Sequence, residues 1–319
     1  MRRPFAVLSL PLLLGGLVPF AACAGRAAPG GAVHDAASRS PSTTAEVIDA
    51  AAPGEWRRLD PENTIYLELA GGRVVFELAP EFAPVHVENI KALARERYYD
   101  GLAVLRSQDN YVVQWGDPDG EDAERRRPVA DAARTLPAEF QRAIDPVQPF
   151  LALAEGDIYA PLVGWASGFP AARDPARGRT WLAHCYGMLG SGRGDTADSG
   201  GGTELYVVIG HAPRHLDKNV TLVGRAVAGM ELLSTLPRGT GGLGFYEKRE
   251  EYVPVVSVRV AADVPSEERT DLELLRIDTP SFAALVEARR NRREEWFLDP
   301  VGKVELCNVP LPVRPVPPG

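Results

Sequence analysis

The sequence predicts a mainly β fold, an antiparallel barrel or sandwich carrying few helices. Three observations support that class. Short runs in which apolar and polar residues alternate recur between residues 64 and 260. Stretches rich in Gly, Pro and Asp separate them. Only three segments carry a helical period, too few for the strand–helix alternation that a parallel sheet requires. With 45% apolar and 24% charged residues the chain can bury a full core, as a globular protein does.

Taken in order, Arg2 and Arg3 precede an apolar stretch from Phe5 to Phe20 that ends in Ala21, Ala22, Cys23 and Ala24, the pattern of a secretory signal peptide over residues 1–24. Pro11, Gly15, Gly16 and Pro19 interrupt the stretch, and it falls short of the ~20 apolar residues of a membrane-spanning helix. Cleavage before Cys23 would leave that thiol for lipid attachment, whereas cleavage after Ala24 would discard it. The expected destination is therefore outside the cytoplasm, in a periplasm-like space, soluble or lipid-anchored. Residues 25–60 are rich in Ala, Gly, Ser, Thr and Pro and read as a flexible tether.

A hairpin follows: Ile65, Leu67 and Leu69 alternate with polar neighbours, Gly71-Gly72 supplies a turn, and Val74, Phe76 and Leu78 alternate again. Val87, Ile90 and Ala94 form one helical stripe in the segment 85–97. Further strands are expected at 111–115, 181–185, 205–209, 221–227 and 252–260, with a short second helix at 229–236. Between about residues 120 and 179 the pattern weakens, as in an insertion of loops and short elements. Beyond residue 262, Thr279 and Pro280 form an N-cap and first-turn pair for a helix reaching about Trp296, and the strip 309–318 is proline-rich and extended.

Composition limits the function. A net charge of −8 argues against nucleic acid, because phosphate binding needs a concentrated basic surface, and the runs at Arg125–Arg127 and Arg289–Arg293 lie beside acids. The glycine-rich run 187–202 lacks the Lys-Ser/Thr ending of a phosphate loop. His184, Cys185, His211 and His215 lack zinc spacing, and neither Ser191 nor Ser199 has a nucleophile context, so neither a metal nor another cofactor is expected. Cys185 and Cys307 either pair in an oxidising compartment or remain free thiols.

One ordered set of motifs is specific. Gly72-Arg-Val-Val-Phe-Glu-Leu, Ala83-Pro84, Val87-Glu-Asn, Tyr98-Tyr-Asp-Gly101, Arg106 and Gln114-Trp-Gly-Asp-Pro118 are followed by Gly202-Thr-Glu-Leu-Tyr-Val-Val-Ile, His215-Leu-Asp and Leu222-Val-Gly-Arg. In this order the segment 61–262 resembles the cyclophilin-type peptidyl-prolyl cis-trans isomerases. The resemblance implies a closed antiparallel barrel of about eight strands with two covering helices, to which this chain adds an insertion and a C-terminal helical extension. It implies that Arg106 is the catalytic arginine and Gln114 the glutamine that holds it. Tyr111, Val112, Glu204, Leu205, Tyr206, His215, Leu216 and Val220 then fall on substrate-binding positions, and of Leu205 and Tyr206 the match favours Tyr206 as facing the peptide. The partners implied are proline-containing polypeptides, bound by a monomer that meets a membrane only through a lipid on Cys23. The departures at Val104, Leu105, Glu204 and Val220 leave a second reading, a proline-peptide binding module with little turnover.

Overall fold

The computed structural model describes residues 42–317, so the expectations for the leader and for Cys23 lie outside the described residues. The segment expected to be a tether is structured from its described start. Helix α1 (Thr44–Ala50) is closed by a capping box in which Thr43 and Glu46 each accept the other's backbone N–H, and Val47 is buried. Strand β1 (Trp56–Arg58) follows. Composition concealed both, because their partners lie more than 200 residues away, in helix and strand of the C-terminal region.

The hairpin of β2 (Thr64–Leu69) and β3 (Gly72–Leu78) pairs Leu69 with Gly72, so the turn is Ala70-Gly71, one residue earlier than the sequence suggests. Helix α2 (Pro84–Arg95) buries Val87, Ile90, Leu93 and Ala94. Its first turn has no side-chain cap of its own. Instead the Glu139 carboxylate accepts the N–H groups of Val85 and His86 at 3.1 and 2.9 Å, filling donors that an α-helix leaves free. Next come β4 (Ala103–Ser107) and β5 (Val112–Gly116).

The weakly patterned region forms a sheet rather than loops: β6 (Arg142–Ala143), β7 (Leu151–Ala152), β8 (Leu162–Ala166), β9 (Phe169–Asp174) and β10 (Arg179–Leu182), in the order β6-β10-β9-β8-β7. The strand expected at 181–185 is β10 of this sheet. The region escapes sequence reading because β6 and β7 are two residues long, while β8 and β9 bury residues on both faces and so lose their alternation.

The chain then runs through β11 (Met188–Ser191), β12 (Leu205–Val208), β13 (Leu222–Ala228), α3 (Met230–Ser234) and β14 (Val253–Val260). Eight strands close in the order β11-β12-β5-β4-β14-β2-β3-β13, every pair antiparallel, with β13 returning to β11. Phe76, Trp115, Leu205 and Val223 fill the interior together with residues of α2. The C-terminal region supplies β15 (Leu272–Leu275), α4 (Pro280–Arg290) and β16 (Val313–Pro315), with β15 between β1 and β16. Helix α4 ends earlier than expected, and Trp296 is exposed.

A second core forms where the inserted sheet, α1, α4 and the outside of the barrel meet. Trp165 and Phe282 pack edge to face there, with ring centroids 5.2 Å apart. The buried Arg225 of β13 spans the junction, pairing with Glu77 at 2.7 Å and donating to the Gly168 carbonyl at 2.7 Å. A disulfide joins Cys185 to Cys307, with Cα atoms 5.0 Å apart. Among the described residues no helix is long and apolar enough to cross a membrane.

Candidate active site

Strand register decides which side chains share a face. Arg106 on β4 lies opposite Gln114 on β5, which lies opposite Tyr206 on β12, so the three form one row across neighbouring strands. The alternate row, Val104, Trp115 and Leu205, is fully buried inside the barrel. Leu205 is therefore a core residue and not part of the peptide surface, whereas Tyr206 faces outward. An irregularity between Val104 and Arg106 breaks the pairing register and aims the arginine at the row it shares with Gln114.

Beside the row lies an open cavity of about 570 Å³. Its apolar end is walled by Tyr111, Val112, Tyr206 and Val220, which pack together, and by Leu216 from a single 3-10 turn, Arg214–Leu216. Tyr206 can lie flat on β11 because residue 190 is glycine: a Cβ there would come within 2.3 Å of the ring. His215 stands at the rim rather than in the cavity. It is exposed and stacks on Tyr111, with planes 3° apart and centroids 6.3 Å apart.

The Arg106 guanidinium is held from several sides. Nε donates to the Leu243 carbonyl at 2.7 Å, Nη1 donates to Gln114 Oε1 at 3.3 Å, and Nη2 donates to Gln108 Oε1. Its carbon lies 5.5 Å from the Tyr111 ring centroid and 5.3 Å from that of Phe245. Burial draws the group down from its ordinary value, with Tyr111 opposing, and an arginine so shifted keeps its charge at neutral pH. Gln114 is oriented in turn by Glu204, whose carboxylate accepts from Gln114 Nε2 at 2.6 Å. Burial raises the Glu204 carboxyl; the Gln114 bond opposes this, and the neighbouring Glu121 and Asp117 reinforce it.

The expected residues Arg106, Tyr111, Val112, Gln114, Glu204, Tyr206, Leu216 and Val220 thus converge on one cavity, while Leu205 and His215 lie outside it. Sequence reasoning missed Leu243 and Phe245, which come from the loop after α3. The signal available was four glycines at 239, 241, 242 and 244 just before Phe245, a composition that suits backbone packed closely against a site. Among the described residues His184 has no zinc partners. It is buried, and its Nε2 lies 2.9 Å from the Tyr206 hydroxyl.

Comparison with known proteins agrees with the barrel fold. The family model described as cyclophilin type peptidyl-prolyl cis-trans isomerase/CLD matches residues 64–260. A probable peptidyl-prolyl cis-trans isomerase of Brucella suis biovar 1 is 28% identical over 187 residues, covering 57% of this chain and 74% of that protein. A putative thylakoid lumen peptidyl-prolyl cis-trans isomerase of Synechocystis is 26% identical over 164 residues, 49% of this chain and 39% of the relative. The crystal structure of the cyclophilin AquaCyp293 from Hirschia baltica superimposes with a TM-score of 0.66 at 25% identity, over 86% of this chain and 97% of that one. That likeness reaches beyond the stretch matched by the family model.

Proposed function

The chain belongs to the cyclophilin-type peptidyl-prolyl cis-trans isomerases, and from that premise we propose that it turns X-Pro bonds with Arg106 as the catalytic residue, Gln114 holding it, and the hollow of Tyr111, Val112, Tyr206, Leu216 and Val220 seating the proline ring. The observation that carries this assignment is the guanidinium on the same cross-strand row as the ring of Tyr206, beside an apolar cavity.

Resonance makes rotation about the peptide bond slow, with a barrier of roughly 18–20 kcal/mol, although an X-Pro bond prefers trans only weakly. Halfway round, conjugation is lost and the prolyl nitrogen becomes a better acceptor. A fixed cation that donates to it holds the twisted amide more tightly than either planar form. Lowering the barrier by about 5 kcal/mol accelerates rotation roughly 10³- to 10⁴-fold. A guanidinium carries five N–H groups; Leu243, Gln114 and Gln108 engage three, which leaves two for the substrate. That remainder favours turnover over the reading as an inert binding module.

The clients are proline-containing proteins outside the cytoplasm, met by a monomer that is soluble or anchored through Cys23. The leader pattern in residues 1–24 supports this reading, as does the lumenal relative. Replacing Arg106 with Ala should lower isomerisation of a proline tetrapeptide about 10²- to 10³-fold, the scale of removing one electrostatic donor from an active site. An NMR exchange assay reads the rate directly, and a variant as fast as the wild type would remove Arg106 from the mechanism.

A further inference from the structure

Behind the proline hollow runs a chain of buried polar side chains that the isomerase chemistry does not itself require. It begins at the Tyr206 hydroxyl, 2.9 Å from His184 Nε2. His184 Nδ1 lies 2.9 Å from Asp217 Oδ1, and the same oxygen accepts the His184 backbone N–H at 3.0 Å. Asp217 Oδ2 accepts from Arg214 Nε at 2.7 Å. Arg214 then donates through Nη1 and Nη2 to the two oxygens of Asp157, at 2.9 and 3.2 Å. Side-chain exposure is 1% for His184, 4% for Asp217, 3% for Arg214 and 5% for Asp157, so the chain is made away from bulk water, with the half-exposed Glu305 carboxylate 3.9 Å from Arg214 Nη1 at its outer end.

The directions of these bonds follow from the donor inventory. An ionised carboxylate only accepts, so the proton of a neutral His184 sits on Nδ1 and Nε2 is left as an acceptor. Tyr206 therefore donates its O–H to His184, which fixes the rotation of the ring that floors the hollow. Arg214 and Asp217 flank the short turn that presents Leu216 to the cavity and His215 to Tyr111. One chain thus holds both the floor and a wall of the proline seat. Its far end, Asp157, lies in the inserted segment between β7 and β8.

We propose that Asp157, Arg214, Asp217 and His184 are positioning residues for isomerisation: through them the inserted segment sets the width of the proline hollow and thereby the affinity for X-Pro substrates. The proposal rests on the isomerase reading for its substrate and not for its geometry. Charge-assisted pairs of this kind are strong and directional, and a displacement of about 1 Å in a site is enough to cost up to 10²-fold.

The test is NMR titration of an Ala-Ala-Pro-Phe peptide with the full chain, which reads both Kd and the exchange rate of bound peptide. With Asp157→Ala, Kd should weaken about tenfold while the bound exchange rate stays within about twofold, because the binding wall moves and Arg106 does not. Asp157→Asn keeps an acceptor and should recover part of the affinity. Tyr206→Phe removes only the hydroxyl and keeps the ring; it leaves His184 Nε2 without its donor, so the melting temperature should fall by a few degrees in a protein that stays folded, and Kd should weaken severalfold even if Asp157→Ala folds poorly. Wild-type affinity in both folded Asp157→Ala and Tyr206→Phe overturns the proposal. So does a loss of Kd and exchange rate in equal proportion to the unfolded fraction. Failure of the isomerase reading looks different: the wild-type protein would bind the peptide without accelerating its exchange.

Discussion

Glu204 sets the orientation of Gln114, and through it the side of the amide that meets Arg106. An ionised carboxylate can only accept, so Gln114 must turn its NH₂ toward Glu204 and its oxygen toward the guanidinium. That service has a cost. Burial raises the Glu204 carboxyl above its ordinary value near 4.5, so the folded state binds this proton more tightly than the unfolded state does. Stability tied to the group is then complete below pH 4.5 and declines as pH rises through the raised value. Glu204→Gln should therefore melt at a higher temperature than the wild type at pH 7, and the gap should close as pH falls toward 4.5. Thermal melts of the two proteins across that range check it; a gap independent of pH would show that the carboxyl does not titrate on folding. His184 contributes in the opposite sense. Burial holds it below its usual value of 6.5 despite Asp217, so its share of stability is present above pH 6.5 and is lost as acid protonates the unfolded chain.

Among the elements, the strands that carry Gln114 and Tyr206 were legible because motif and alternation agree, whereas β4, which carries Arg106, buries residues on both faces, shows no alternation and was reached through the motif alone. Once Tyr206 is outward, period two sends Leu205 inward. The loop that reaches over Arg106 was not legible, since Leu243 and Phe245 stand 137 and more residues along the chain and approach only after the barrel closes. Gly244 holds that loop in place: its φ is +76°, and a Cβ would lie 2.6 Å from Gln108 Cα. Gly244→Ala should push the loop off β4, release Arg106 Nε from the Leu243 carbonyl, and reduce turnover severalfold while the barrel melts within a few degrees of the wild type. Peptide exchange rates set beside a melting curve decide this; unchanged turnover would make the loop a bystander. The inserted sheet was the largest element missed, because strands covered on both faces carry no alternating signature.

At the scale of the whole molecule, two cores share one wall. The barrel encloses the first, and its outer surface, with the inserted sheet and α4, encloses the second. The Cys185–Cys307 bond closes a loop spanning 122 residues and fastens the C-terminal strip one residue from His184. Chain-entropy arguments give such a closure roughly 4–5 kcal/mol. Reduction, or Cys307→Ser, should lower the melting temperature by several degrees, and differential scanning calorimetry with and without a thiol reductant measures it; identical transitions would mean the strip holds by packing alone.

The small sheet in which β15 joins β1 to β16 has a consequence for the order of events during biosynthesis. A polypeptide leaves the ribosome amino end first, so Trp56–Arg58 must wait, its amides unpaired, until Leu272–Leu275 has been made. That strand waits again for Val313–Pro315. The nascent chain can zip its barrel shut first, yet it fastens this hem only after the barrel's own strands have all been made.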